Sequence, residues 1–307
     1  MCRIFFIIMM AVIAMVGNSC MSVSGEPAEQ QSEDKIFPIP RIPMLLSDPQ
    51  DRMTYILLHY WDNIDFKQRV LCEKDEMLEQ GFVDFLFIFR YVDSSVWSAA
   101  VGNLVRKSVV TVNRVAPLMA LASKYLYHPE SPMLNEEHYR LFVEEMMKCG
   151  DRLEPAAQER LRMELETMNL NRVGTLAADF SYRQDCGKKS SLYAVKGPMT
   201  LLMFYDPECE SCAYVLSQMR RSEILARRLE NCQLRLLVIS SEEAEMEGGH
   251  KIDFPKEWIC GSLVDLPDFD EGYVLRALPS LFLLDEEKRV LIKEMPFEMI
   301  EEYLKNS

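Results

Sequence analysis

The sequence predicts an all-helical part followed by an α/β part, a central sheet flanked by helices. Three observations predict it. Through residues 38–170 apolar side chains recur at helical spacing without a strand-like run. From Phe180 onward, short continuous apolar runs alternate with amphipathic stretches. The 307 residues, 49% hydrophobic and 27% charged, suffice for two domains that each bury a core. The formal net charge of −14, with no Lys/Arg run, argues against nucleic acid as a partner, because phosphate binding needs a cationic face. Otherwise such acidity signifies solubility.

Residues 1–20 read as an export signal. Arg3 supplies the charged start, and the apolar run from Ile4 to Val16 is too short to span a bilayer. Gly17-Asn18-Ser19 then precedes Cys20, which resembles a bacterial lipoprotein signal, although Gly17 stands where Leu is usual. Two endings stay open. Either the leader is cleaved and the chain is soluble, or Cys20 is lipidated and tethers it to a membrane. The chain is expected in the periplasm or cell envelope in both cases. Residues 21–37, rich in Ser, Glu and Gln, read as a flexible linker.

In the helical domain, residues 38–170, Asp48-Pro49 is an N-cap followed by proline at the first helical position. Met53, Ile56, Leu57, Tyr60 and Ile64 form its apolar face. Further helices are expected over 74–91, from Asp93 through Val105, and over 114–127, 136–148 and 155–168. Cys149-Gly150 supplies a stop between the last two.

Residues 171–307 form the second domain. Strands are expected at 180–182 and 191–195, around a Gly-Lys-Lys turn, and at 199–205 as a central strand covered on both faces. A helix over 209–230, a strand over 233–239 and an acidic loop-rich stretch follow. A hairpin at 281–284 and 290–292, then a helix bearing Phe297, Ile300 and Leu304, close the chain.

Cys209-Glu210-Ser211-Cys212 lies where the buried strand gives way to the helix. The first helical turn leaves N–H groups unpaired, and its dipole favours negative charge. A Cys209 thiolate is stabilised there and accessible, and Cys212, one turn further, can resolve a mixed disulfide. Tyr205, Asp206, Pro207, Glu208, Glu210 and Ser211 form the surroundings of the dithiol. Asp206, Glu208 and Glu210 are expected to crowd it with like charge, disfavouring the thiolate and favouring a reductase or isomerase direction.

The run from Leu201 to Cys209, the CxxC, and Ala277-Leu278-Pro279-Ser280 leading into Leu281-Phe282-Leu283-Leu284-Asp285 resemble the thioredoxin-like family. The likeness is to its extracytoplasmic branch of cytochrome-maturation thioredoxins and related reductases. It implies a thioredoxin-like fold for residues 171–307, a cis Pro279 beside the dithiol, and a Leu278 backbone that pairs with substrate. Residues 46–66, notably Asp48-Pro49, Arg52, His59-Tyr60-Trp61 and Asp65-Phe66, resemble a helical domain of unknown function that precedes thioredoxin-like domains in Bacteroidetes envelope proteins. That implies architecture and no chemistry. Three departures stand out. Glu208 replaces the usual Trp, Glu210-Ser211 replaces Gly-Pro, and Met203 occupies the place of a buried acid.

Of the other cysteines, Cys72, Cys149, Cys186, Cys232 and Cys260 are expected mostly as buried thiols, with a Cys232–Cys260 bridge conceivable. A zinc site wants four ligands in close pairs, and with a single CxxC none is expected. His59-Tyr60-Trp61-Asp62 reads as text like a site, but helical neighbours do not face one another, so core packing is expected. The reading is an extracytoplasmic thiol–disulfide oxidoreductase. Cys209 is its nucleophile, Cys212 its resolving thiol, and Leu278 and Pro279 its substrate edge. Its partners are protein disulfides and, for a reductant, a membrane electron donor; no cofactor is expected. The alternative is a redox-inactive scaffold on the same fold, whose helical domain recognises a partner.

Overall fold

The computed structural model describes residues 36–111, 114–184, 186–241, 253–264 and 266–307. The leader, Cys20 and most of the linker lie outside the described residues.

Asp48 caps α1 (Pro49–His59) as its sequence predicts: Oδ1 accepts from the Gln50 and Asp51 amides at 2.8 and 3.1 Å. The helix stops at His59, so Ile64 joins the core from a turn rather than from the helical face. Tyr60 and Trp61 are buried, Phe37 stacks on Tyr60, and His59 pairs with Asp62 at 2.8 Å. Core packing is the observed role of that aromatic pair.

Asp75 caps α2 (Glu76–Ile88), which tightens into a 3-10 turn at Phe89–Tyr91. A second 3-10 turn, capped by Asp93, precedes α3 (Trp97–Ser108). The region continues through α4 (Val115–Leu126), α5 (Glu136–Met147) and α6 (Pro155–Asn169). Gly150, with φ +51°, supplies the left-handed residue that turns the chain between the last two. Phe82, Phe85, Phe89, Leu104, Leu118, Phe142 and Met146 make the core of the helical region.

The second region begins with β1 (Ser181–Gln184) and β2 (Lys189–Ser191). Residues 192–194 form a 3-10 turn instead of extending the strand expected there, because Leu192 turns inward and is fully buried. The central β3 (Met199–Tyr205) leads into α7 (Glu210–Arg221) and α8 (Glu223–Glu230). One helix was expected over this span. Ser222 breaks it with an extended backbone, and its hydroxyl caps α8 by accepting from the Leu225 amide at 3.0 Å. The continuous amphipathic pattern masked that start signal.

Then come β4 (Arg235–Ser240), β5 (Ile259–Leu263) and α9 (Leu266–Gly272). The last two lie in the stretch expected to be loop. Weakly apolar β5 holds its place because it is paired on both sides, parallel to β4 and antiparallel to β1. A side chain at Gly261 would meet the Arg183 carbonyl at 2.4 Å, so glycine is required at that close approach. The hairpin β6 (Ser280–Asp285) and β7 (Val290–Lys293) and the closing α10 (Phe297–Asn306) finish the fold.

Among the described residues the sheet has seven strands in the order β2-β1-β5-β4-β3-β6-β7. Side chains on β3 alternate between two cores, as a doubly covered strand must. Leu201 and Met203 pack with Leu216, Met219 and Ile300, while Leu202 and Phe204 pack with Phe180, Phe269 and Tyr273. The result is a helical region followed by a sheet flanked by helices, and Phe37–Ser307 forms one compact unit. No helix among the described residues is long and apolar enough to cross a membrane.

Candidate functional site

The end of β3 delivers the chain to the mouth of α7, where Asp206 builds the approach. Its Oδ1 accepts from the Glu208 amide at 2.7 Å, and its carbonyl accepts from the Cys209 amide at 3.2 Å. Cys209 is therefore the N-cap residue, with Sγ accepting from the Cys212 amide at 3.2 Å and lying 2.9 Å from the Ser211 hydroxyl. Opposite stands the segment before β6. The Leu278 carbonyl accepts from Ser211 Oγ at 3.2 Å and lies 3.7 Å from Cys209 Sγ, and the Leu278–Pro279 bond is cis. Cys209, Ser211, Cys212, Leu278 and Pro279 thus meet at one corner. Tyr205 is buried at the strand end, whereas Pro207, Glu208 and Glu210 face solvent.

The two thiols are made unequal. Burial pushes the Cys209 thiol up, but hydrogen bonds from Cys212 and Ser211 outweigh it and hold the group below an ordinary thiol. Burial, and then the proximity of Cys209, raise Cys212 to about 12. Cys209 is thus the more easily ionised sulfur of the pair and Cys212 the harder one. Nearby Asp206, Glu208 and Glu210 therefore do not set the direction at Cys209, although the charge of Asp206 contributes to raising Cys212. Glu208 and Glu210 project into water, where their fields are screened, and short-range donors act directly on the sulfur. Met203 is fully buried beneath the corner, so the place of the strand acid is apolar here.

Cys72, Cys149 and Cys260 are half-buried, while Cys186 and Cys232 are exposed, which corrects the expectation of mostly buried thiols. Cys232 sits at a left-handed turn (φ 56°) and Cys186 follows a strand end, positions that carry no core. Cys232 and Cys260 are not bridged to each other.

Beside the dithiol lies a cleft of about 260 Å³. Its walls include Tyr214 and Gln218 of α7, Leu278 and Pro279, and Pro129 and Glu130 from the helical region. Arg276 and Glu294 also line it, and Arg276 donates to Glu294 Oε2 through Nε at 2.8 Å and through Nη2. Through Nη1 it donates to the Tyr127 carbonyl at 2.9 Å. Glu136 Oε2 lies 3.6 Å from the same guanidinium, an ion-pair distance, and Glu136 Oε1 accepts from Lys293 Nζ at 2.7 Å. Burial raises the Glu136 carboxyl, against the pull of Lys293 and Arg276. Sequence reasoning missed this cluster. Arg276 and Tyr127 are 149 positions apart, and no local pattern couples them.

A central strand running into a helix capped by the first Cys of a CxxC, faced by a cis-proline segment, defines the thioredoxin class of proteins. A thioredoxin-like protein from Bacteroides caccae is 32% identical, covering 88% of this chain and 98% of its own, with a TM-score of 0.78. The C-terminal domain of an uncharacterized protein from Bacteroides fragilis is 35% identical over 44% of this chain and 98% of its own, with a TM-score of 0.41. The thioredoxin domain of a thiol-disulfide oxidoreductase from Bacteroides vulgatus is 17% identical, covering 43% of this chain and 97% of its own, at 0.35. A domain of unknown function, DUF5106, matches residues 19–171. No curated protein matches the chain. The chain belongs to the thioredoxin-like family, with a DUF5106 region ahead of the thioredoxin-like part.

Proposed function

We propose that this chain is an extracytoplasmic thiol–disulfide oxidoreductase acting on disulfides of envelope proteins. The observation that carries the reading is the geometry of the two sulfurs, one partly exposed at the helix mouth where it accepts from the Cys212 amide beside a cis proline, the other buried one turn behind it. The Cys209 thiolate attacks one sulfur of a client disulfide, forming a mixed disulfide and releasing the other sulfur as a thiolate. Cys212 then loses its proton to solvent and attacks Cys209 Sγ. That closes the Cys209–Cys212 bond and releases the second client thiolate. In this reducing direction two electrons pass from the dithiol to the client and an external dithiol donor returns them; in the oxidising direction the same steps run in reverse and an external disulfide takes the electrons.

Direction follows the reduction potential. A favoured thiolate stabilises the reduced form and shifts the pair toward the oxidant side, against the expected reductase or isomerase direction. A potential near about −270 mV marks a reductant and one near about −120 mV an oxidant. The scaffold alternative draws on buried Met203, which leaves no carboxylate on that strand position to accept the Cys212 proton. A trap separates the two readings. Cys212→Ala should hold Cys209 in mixed disulfides with envelope proteins, and a chain that captures none while staying inert to disulfide buffers is a scaffold.

A further inference from the structure

The helical region reaches the dithiol corner through one loop, residues 128–135, which joins α4 to α5. Both ends of that loop are held by a residue of the other region. At its start, Arg276 donates to the Tyr127 carbonyl, an open acceptor at the C-terminus of α4, and its guanidinium stacks on the Tyr127 ring at 4.0 Å. At its end, Arg276 and Lys293 face Glu136, the first residue of α5. Internal hydrogen bonds stiffen the loop: the Asn135 amide donates to the Leu126 carbonyl at 2.9 Å and Ser131 Oγ to the Tyr125 carbonyl at 2.5 Å. Arg276 is also two residues before Leu278, whose carbonyl faces Cys209 and Ser211. Arg276 thereby links the loop to the segment that faces the nucleophile, with Lys293 sharing the hold on Glu136.

The cleft lies beside that link. Pro129 and Glu130 line it from the loop, and Tyr214 lines it from α7. Tyr214 is 65% exposed, a large aromatic presented to solvent one turn past Ser211. Exposed aromatics beside a reactive group are typical anchors for a polypeptide.

Taking the disulfide-exchange reading as given, we propose that loop 128–135 of the helical region is the wall against which a client polypeptide segment is seated beside its disulfide. Arg276 is the positioning residue that holds this wall in register with Cys209. The client segment lies between the loop and α7, and the helical region selects clients without touching the sulfur chemistry. The cleft is continuous with the dithiol corner and open to solvent, as an extended segment requires.

The test uses the full chain with insulin as the disulfide substrate, and iodoacetamide alkylation of Cys209 followed by mass spectrometry. Arg276→Gln should raise the insulin KM about fivefold, more than it lowers kcat, the mark of lost binding rather than lost chemistry. The pH midpoint of Cys209 alkylation should stay in place, and Arg276→Lys should recover part of the KM. Should Arg276→Gln not fold, Tyr127→Leu removes the stacked ring from the helical side and should raise KM about twofold, a cation–π contact being modest. Unmoved KM in a folded variant overturns the proposal, as does an alkylation midpoint that moves together with KM. A wild-type chain inert toward insulin removes the exchange reading itself, a result distinct from active wild type with unchanged variants.

Discussion

The dithiol corner and the Arg276 cluster lie on either side of the Leu278–Pro279 segment and are built in opposite ways. At the corner the nucleophile is partly exposed, and the neutral donors that tune it, the Cys212 amide and the Ser211 hydroxyl, are its near neighbours in sequence. In the cluster the residues come from three distant stretches, and full charges stand with side chains only 14% exposed for Arg276 and Glu136 and 9% for Glu294 and Lys293. A reactive sulfur needs water and clients to reach it, so its surroundings add little to stability. A buried ion cluster reacts with nothing, yet removing one member strands a charged partner. Reactivity and rigidity are thus assigned to different residues around one short segment.

That division can be broken by substitution, and the largest effect belongs to the corner. Cys209→Ala should lower disulfide exchange on the order of a thousandfold or more, with little change in the denaturation midpoint; a large loss of stability would merge the two regions. Next is the cluster. Arg276→Met leaves the Glu294 carboxylate uncompensated, Glu136 keeping Lys293, and should cost about 3 kcal/mol in chemical denaturation, near the lower figure for breaking a buried pair. A cost below about 1 kcal/mol would reclassify the cluster as a surface network.

Ser211→Ala should act in the other sense, on pH dependence and not on stability. The Cys209 thiol is held below its ordinary value, so alkylation should rise through a midpoint at lower pH than for an ordinary thiol. Losing the hydroxyl, worth about 1 kcal/mol, should move that midpoint upward and slow alkylation a few-fold at neutral pH. An unmoved midpoint would assign the shift to the helix mouth alone. Smallest and most remote, Asp48→Ala should cost about 1 kcal/mol through the lost α1 cap while leaving exchange intact, as unfolding and insulin assays on one sample can show.

Legibility followed the same division. Asp48 and Asp93 mark helix starts by chemistry contained within a few residues, and their caps appear in the structure. The seven-residue apolar run is β3 to the residue, because only a strand buried on both faces tolerates it. Cys209 at a helix mouth was readable for the same reason, while the Leu278–Pro279 contact came through the family resemblance. By contrast, β5 carries Cys260, Gly261 and Ser262, a pattern with no strand signature, and is a strand because β4 and β1 stand on either side.

The chain order of residues alone determined the helix caps, the doubly buried strand and the placement of a reactive thiol where unpaired amides gather, since these depend on atoms a few bonds apart. Only the folded molecule decided that Ser222 divides a helix, that hydrogen-bond donors outweigh burial at Cys209, and that Arg276 meets Tyr127 and Glu136 at the cleft wall. Burial and long-range approach set those outcomes, and both exist only once distant segments have packed together.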